Sequence, residues 1–95
     1  MYEWNSAQAE ANKAKHGVEF ETAEGFDWTS ALILDDEKHS DKERRYCAVG
    51  FIGDRLHVMI WTPRGATIRL ISLRKANARE AKLYEKTAQT PRPHR

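Results

Sequence analysis

A single cysteine, Cys47, stands among the 95 residues, so no internal disulfide can brace the fold. The chain must hold together by packing, and such cysteine usage suits a reducing, cytoplasmic compartment. Apolar runs are short, and none approaches the roughly 20 residues that a membrane-spanning helix needs. No basic stretch followed by an apolar one opens the sequence, which argues against a secretory signal. Metal-ligand spacing is missing as well. His16, His39, His57 and His94 lie far apart, and no His-x-x-x-His or Cys-x-x-Cys pair occurs. The run Asp35-Asp36-Glu37 with His39 and Asp41 could hold a hard cation, but acidic loops are more often simply solvated. No metal or other cofactor is therefore expected. Repeats and linkers are absent too, which leaves one domain over residues 1–89 and a flexible basic tail over 90–95.

What is present is an uneven charge. Residues 1–53 carry 11 acidic and 6 basic side chains, whereas residues 54–95 carry 3 acidic and 10 basic ones. A basic half attracts polyanions, unless folding intermixes the two halves and the fields partly cancel.

The order of elements predicts an α+β domain. Tyr2-Glu3-Trp4 alternates like a short strand. Asn5-x-x-Gln8 is a capping-box pattern opening a helix through about Lys15, with Gly17 just past its end. Phe20, Ala23 and Phe26 recur every third residue and predict a second helix, which Gly25 keeps short. Ala31 to Leu34 reads as a strand, and Asp35 to Lys42 as a polar loop. Three strand-like runs follow: Arg45–Ile52, Arg55–Thr62 and Ala66–Leu73. Gly53-Asp54 and Pro63-Arg64-Gly65 separate them, which predicts an antiparallel meander. In the second run Leu56, Val58 and Ile60 share one face, and Arg55, His57, Met59 and Trp61 the other. The second, mixed face is expected to lie under a helix at one end and meet solvent at the other. Asn77-Ala-Arg-Glu80 is a capping box for a last helix to about Ala88, with Ala76, Leu83 and Tyr84 resting on the sheet.

Residues suited to phosphate chemistry gather at the junctions between these elements. Lys13, Lys15 and His16 end the first helix, Glu43 and Arg45 begin the sheet, and Arg64, Arg69 and Arg74 follow later. RNA can be cut without a metal when its 2′-hydroxyl attacks the adjacent phosphorus. That route needs a general base, cations for the developing charge and an acid for the leaving 5′-oxygen. His16 titrates near neutrality and can serve as base or acid; a glutamate beside arginine is the alternative base. Arginine forks clamp phosphate. Each position also has a plain structural reading. Cations in a last helical turn oppose the helix dipole, Glu43 with Arg45 can be a surface ion pair, and Arg69 can be the polar side of a half-buried strand. Cys47, inside a strand-like run, reads as a small hydrophobe.

From about Tyr2 to Glu85 the chain resembles the BrnT toxins of bacterial type II toxin–antitoxin modules. The matching residues include Asn12-Lys13 with Lys15-His16-Gly17-Val18, then Phe20, Ala23 and Phe26, then Glu43, Arg45 and Gly50. They continue with Arg55-Leu56, Val58, Thr62 and Arg64, then Ile68-Arg69, Ile71-Ser72, Arg74-Lys75-Ala76, Glu80 and Tyr84. The resemblance implies a RelE/ParE-like fold and a metal-independent endoribonuclease that halts translation. On the reading of the residues given above, His16, Glu43, Arg64, Arg69 and Arg74 are the candidate catalytic residues, with Lys13, Lys15, Arg45 and Trp61 on the substrate. Trp61, bulkier than the family's usual residue, is either a base-stacking platform or a packing residue. Leu73 replaces the usual Ala, and Glu19 a common capping Ser. The implied partners are RNA and a BrnA-like ribbon-helix-helix antitoxin, two copies of each chain assembling together. Operator DNA would be reached only through the antitoxin. A non-catalytic protein of the same fold, acting by binding a protein target, is the alternative, since fold does not fix chemistry.

Overall fold

The structure is a computed structural model that describes residues 1–35 and 44–89. In chain order it has strand β1 (Tyr2–Glu3), helix α1 (Ser6–His16) and two 3-10 turns (Phe20–Gly25 and Trp28–Ser30). Strands β2 (Leu32–Asp35), β3 (Tyr46–Ile52), β4 (Arg55–Arg64) and β5 (Thr67–Lys75) follow, then helix α2 (Ala78–Gln89). The loop expected over Asp35 to Lys42 lies, past Asp35, outside the described residues, and so does the basic tail. No helix among the described residues is long and apolar enough to cross a membrane.

Asn5 caps α1, its Oδ1 accepting from the N–H groups of Ala7 at 2.8 Å and Gln8 at 3.1 Å. The second expected helix is a 3-10 turn instead. Its three-residue spacing is the reason. At three residues per turn, Phe20, Ala23 and Phe26 fall on one line, and all three are buried. No side chain caps its start at Glu19, so nothing favours a longer helix.

The sheet runs β1-β5-β4-β3-β2. Strands β3 to β5 form the expected antiparallel meander, β2 adds a further antiparallel strand on β3, and β1 pairs parallel to β5, so the sheet is mixed. Both hairpins of the meander turn on two residues, with Gly53 at φ 63° and Gly65 at φ 57° in the first place. Strand β4 therefore runs through Pro63, which was expected in the turn. The missing proline N–H costs nothing there. Ile68, opposite Pro63, donates its own N–H to Met1 O, and β3 begins lower down, opposite Trp61.

Each face of the sheet carries its own apolar cluster. Helix α1 and the 3-10 turns cover one face, where Val18, Phe20, Ala23 and Phe26 meet Ala48, Met59, Leu70 and Leu73. This is the face of Met59 and Trp61, and it is the main core. On the other face Val49, Leu56, Val58 and Ala76 pack with Ala81 and Tyr84 of α2. Tyr84 is fixed by an edge-to-face contact with Phe51 at 5.6 Å and by donating its hydroxyl to Ser30 O at 2.7 Å. Leu83 does not rest on the sheet; it is 53% exposed, because the inward stripe of α2 runs through Ala81 and Tyr84. Gly50 lies under the first cluster. A Cβ there would come within 2.7 Å of the Phe26 ring, so only glycine lets that ring close on β3.

Candidate active site

The site is built outwards from Asn12. This buried side chain reaches the edge of β5, where, among the described residues, no strand pairs beyond β1. Its Nδ2 donates to Leu73 O at 2.7 Å and Val18 O at 3.0 Å, and its Oδ1 accepts from Leu73 N–H at 3.1 Å. A side-chain amide thus takes the place of a neighbouring strand. Losing it would leave buried backbone groups unpaired at about 1–3 kcal/mol each. Residues four apart share a helix face, so His16 follows Asn12 on the same stripe, close enough to Arg74 to feel its charge.

Burial first, then the charges of Lys15 and Arg74, lower the His16 pKa from the ordinary 6.5. A lowered pKa favours the neutral imidazole, the form able to accept a proton. Arg74 is held by a two-pronged contact with Glu80, Nη1 donating to Oε1 at 2.8 Å and Nη2 to Oε2 at 2.7 Å. The same carboxylate accepts from Asn77 N–H at 2.9 Å, while Asn77 Oδ1 accepts from Glu80 N–H at 2.8 Å. One glutamate therefore caps α2 and anchors the arginine at the end of β5. The hydrogen bonds from Arg74 pull the Glu80 pKa down, and those to Glu80 raise that of Arg74.

Arg69 and Arg74 are five residues apart and would face opposite ways in a regular strand. A bulge changes this. The β4–β5 register shifts between Ile60 and Trp61, so Ser72 pairs with Ile60 but Leu70 with Trp61. Arg74 then lies opposite Val58 and Arg69 opposite Thr62, both on the α2 side. Arg64 at the end of β4 has the same parity. Leu70 and Leu73, three apart, both enter the core on the other side, as the shift requires. The three arginines form a row roughly 20 Å long by strand rise, too long for one phosphate group. Arg69 is paired with Glu3 at 3.4 Å across the parallel β1 contact, and Glu3 also accepts from Thr67 Oγ1 at 3.2 Å.

The charges of Lys15 and Arg74 both reach His16, and Arg69 and Arg64 continue from Arg74 along the α2 side of the sheet. Arg45 lies just ahead of β3, with its Nε buried. Lys13, one turn before His16, is paired with Glu19 at 3.1 Å beside the first 3-10 turn. Trp61 lies on the opposite face, edge-on to Trp28 at 5.5 Å and tilted against Tyr46 at 5.0 Å. Glu43 lies outside the described residues. Three residues that shape the site were not read from the sequence as site residues: Asn12 and Glu80, which stood only among the matching or capping residues, and Glu3. The spacing Asn12 to His16 carried a signal for the first. The capping box showed Glu80 as a cap, but not as the partner of Arg74.

A search of curated proteins finds no match to the chain. The family model for the ribonuclease toxin BrnT of type II toxin–antitoxin systems matches residues 4–80, which takes in Asn12, His16, Arg64, Arg69, Arg74 and Glu80. That span is most of the sequence, and the chain belongs to the BrnT family of ribonuclease toxins.

Proposed function

We propose that this protein is a metal-independent endoribonuclease of RelE/ParE-like fold that inhibits translation in the cytoplasm and is neutralised by a BrnA-like antitoxin. The observation that carries the reading is that His16 feels the charge of Arg74, which Glu80 anchors at one end of an arginine row. His16 takes the proton of a 2′-hydroxyl; the O2′–P bond forms, and the P–O5′ bond breaks as the 5′-oxygen is protonated. Arg74 and Lys15 stabilise the charge that grows on the phosphoryl oxygens. Arg69 and Arg64 hold phosphates further along the strand, Arg45 adds charge at the start of β3, and Glu43 is a second candidate base. Lys13, paired with Glu19, adds charge one turn before His16, and Trp61 on the opposite face of the sheet would meet RNA only outside this centre.

Purified toxin, free of partner, should cleave RNA in the presence of a chelator and leave 2′,3′-cyclic phosphate ends. His16→Ala should lower the rate by about 100-fold or more, in line with loss of a general base. Folded wild-type protein that leaves RNA intact sinks the proposal. One observation favours the binding-only reading: Arg69 and Arg74 already have carboxylate partners. Growth arrest that survives His16→Ala and Arg64→Ala would establish that second reading.

A further inference from the structure

The two edges of the sheet are finished differently. The β5 edge is met by β1 at Ile68 and Arg69 and by the Asn12 amide at Leu73. At the other edge is β2, which pairs with β3 and, among the described residues, with no further strand. It also exposes large apolar side chains on both faces, Ile33 at 46% and Leu34 at 43%. Soluble proteins usually protect such an edge with lysine, proline, a bulge or a covering element. The four residues of β2 are Leu-Ile-Leu-Asp and offer no lysine or proline. Register places Leu34 beside Cys47 on the side of the arginine row, and Ile33 beside Ala48 on the side of α1.

We infer that β2 is the docking edge for the antitoxin, which adds an extended segment to it as a sixth strand. The segment would carry apolar residues at alternate positions along β2 and carboxylates where it passes onto the arginine-bearing face. A second copy of this chain fits less well. Pairing β2 with its own mate engages only four residues on each side, far fewer than the roughly 800 Å² per partner of stable interfaces requires. A longer segment of another chain gains the remaining area over the open half of the sheet. There Arg64, Arg69 and Arg74 offer positive charge, and the pairs Arg69–Glu3 and Arg74–Glu80 show that this face accepts carboxylates. The inference rests on the toxin–antitoxin assignment and not on the nuclease chemistry.

The test uses full-length toxin and the cognate antitoxin, expressed and purified separately. Amide exchange of Leu32 to Asp35 should slow in the complex, because outward N–H groups gain partners. Ile33→Lys and Leu34→Lys should each weaken binding at least about tenfold, while Leu83→Lys, another exposed apolar position, should leave it unchanged. Near-UV circular dichroism establishes that the variants fold. Unchanged exchange in β2, or binding lost only in Leu83→Lys, overturns the inference. So does wild-type toxin that is dimeric alone and made monomeric by Ile33→Lys, since β2 would then serve a second copy. The RNA assay is separate: β2 protection together with intact RNA would remove the nuclease reading and leave the docking edge standing.

Discussion

The same five strands present two faces that differ in almost every respect. Under α1 and the 3-10 turns, Ala48, Met59, Leu70 and Leu73 are wholly shielded from solvent. On the opposite side α2 covers one end, and the other holds Ile60 and Ser72 half-buried beside the arginines. The chain alternates between the faces, so neighbouring residues meet different fates. Met59 is core, while Ile60 is half-open, although isoleucine is the more hydrophobic by most scales. What decides burial is the layer laid against each side. The α1 layer supplies Phe20 and Phe26, and the α2 layer supplies only alanine and one tyrosine. The first face holds the molecule together, and the second is left free to carry charge.

The sharpest way to break this contrast is to truncate neighbours on the two faces. Met59→Ala should cost about 2–5 kcal/mol by urea unfolding, the range for a buried residue that leaves a cavity. Ile60→Ala should cost less than half as much, because water already reaches its site. Equal losses would mean that both faces are core.

A smaller effect separates polar groups in the same way. Asn12→Ala removes both partners of Leu73 and one of Val18, and should cost about 2–3 kcal/mol. Arg69→Ala, on the open face, should cost under about 1 kcal/mol, as expected of a partly exposed ion pair. Should Arg69→Ala be the more damaging, the open face would be part of the scaffold.

Much of this organisation was legible in the chain. Alternation and glycine placement located the meander and both turns, and Asn5 and Asn77 marked the starts of α1 and α2. The assignment of faces was legible only by half. Leu56, Val58 and Ile60 do share a face, but the mixed face of Arg55, His57, Met59 and Trp61 is the one that carries the main core, with Met59 wholly buried and Arg55 exposed. That outcome depends on distant packing partners, which no local pattern names. The parallel partner of β1 lies more than sixty residues away and has only two paired residues, so nothing nearby announces it. The bulge in β5 was invisible as well, and it turns Arg69 and Arg74 to the same side. A residue-by-residue parity argument would have separated the very groups that the proposed site needs together.

The smallest predicted effect concerns how far the charges at the end of β5 reach. His16 feels both Lys15 and Arg74, and Arg74 is anchored by Glu80. In proton NMR titration the His16 imidazole should have its midpoint below the ordinary 6.5. Arg74→Gln removes a cation and should raise that midpoint; Glu80→Gln removes the anion beside Arg74 and should lower it further. The sign carries into stability. A histidine whose pKa falls on folding disfavours the folded state when protonated, so its stabilisation is present above the unfolded value and fades as pH drops through the folded one. His16 is only half-buried, so the change in unfolding free energy should be small, and it should shrink in added salt. If the two substitutions move the midpoint in the same direction, Arg74 is not the cation that His16 senses. The catalytic pairing proposed for the open face would then lose its electrostatic basis, while the core on the other face would be untouched.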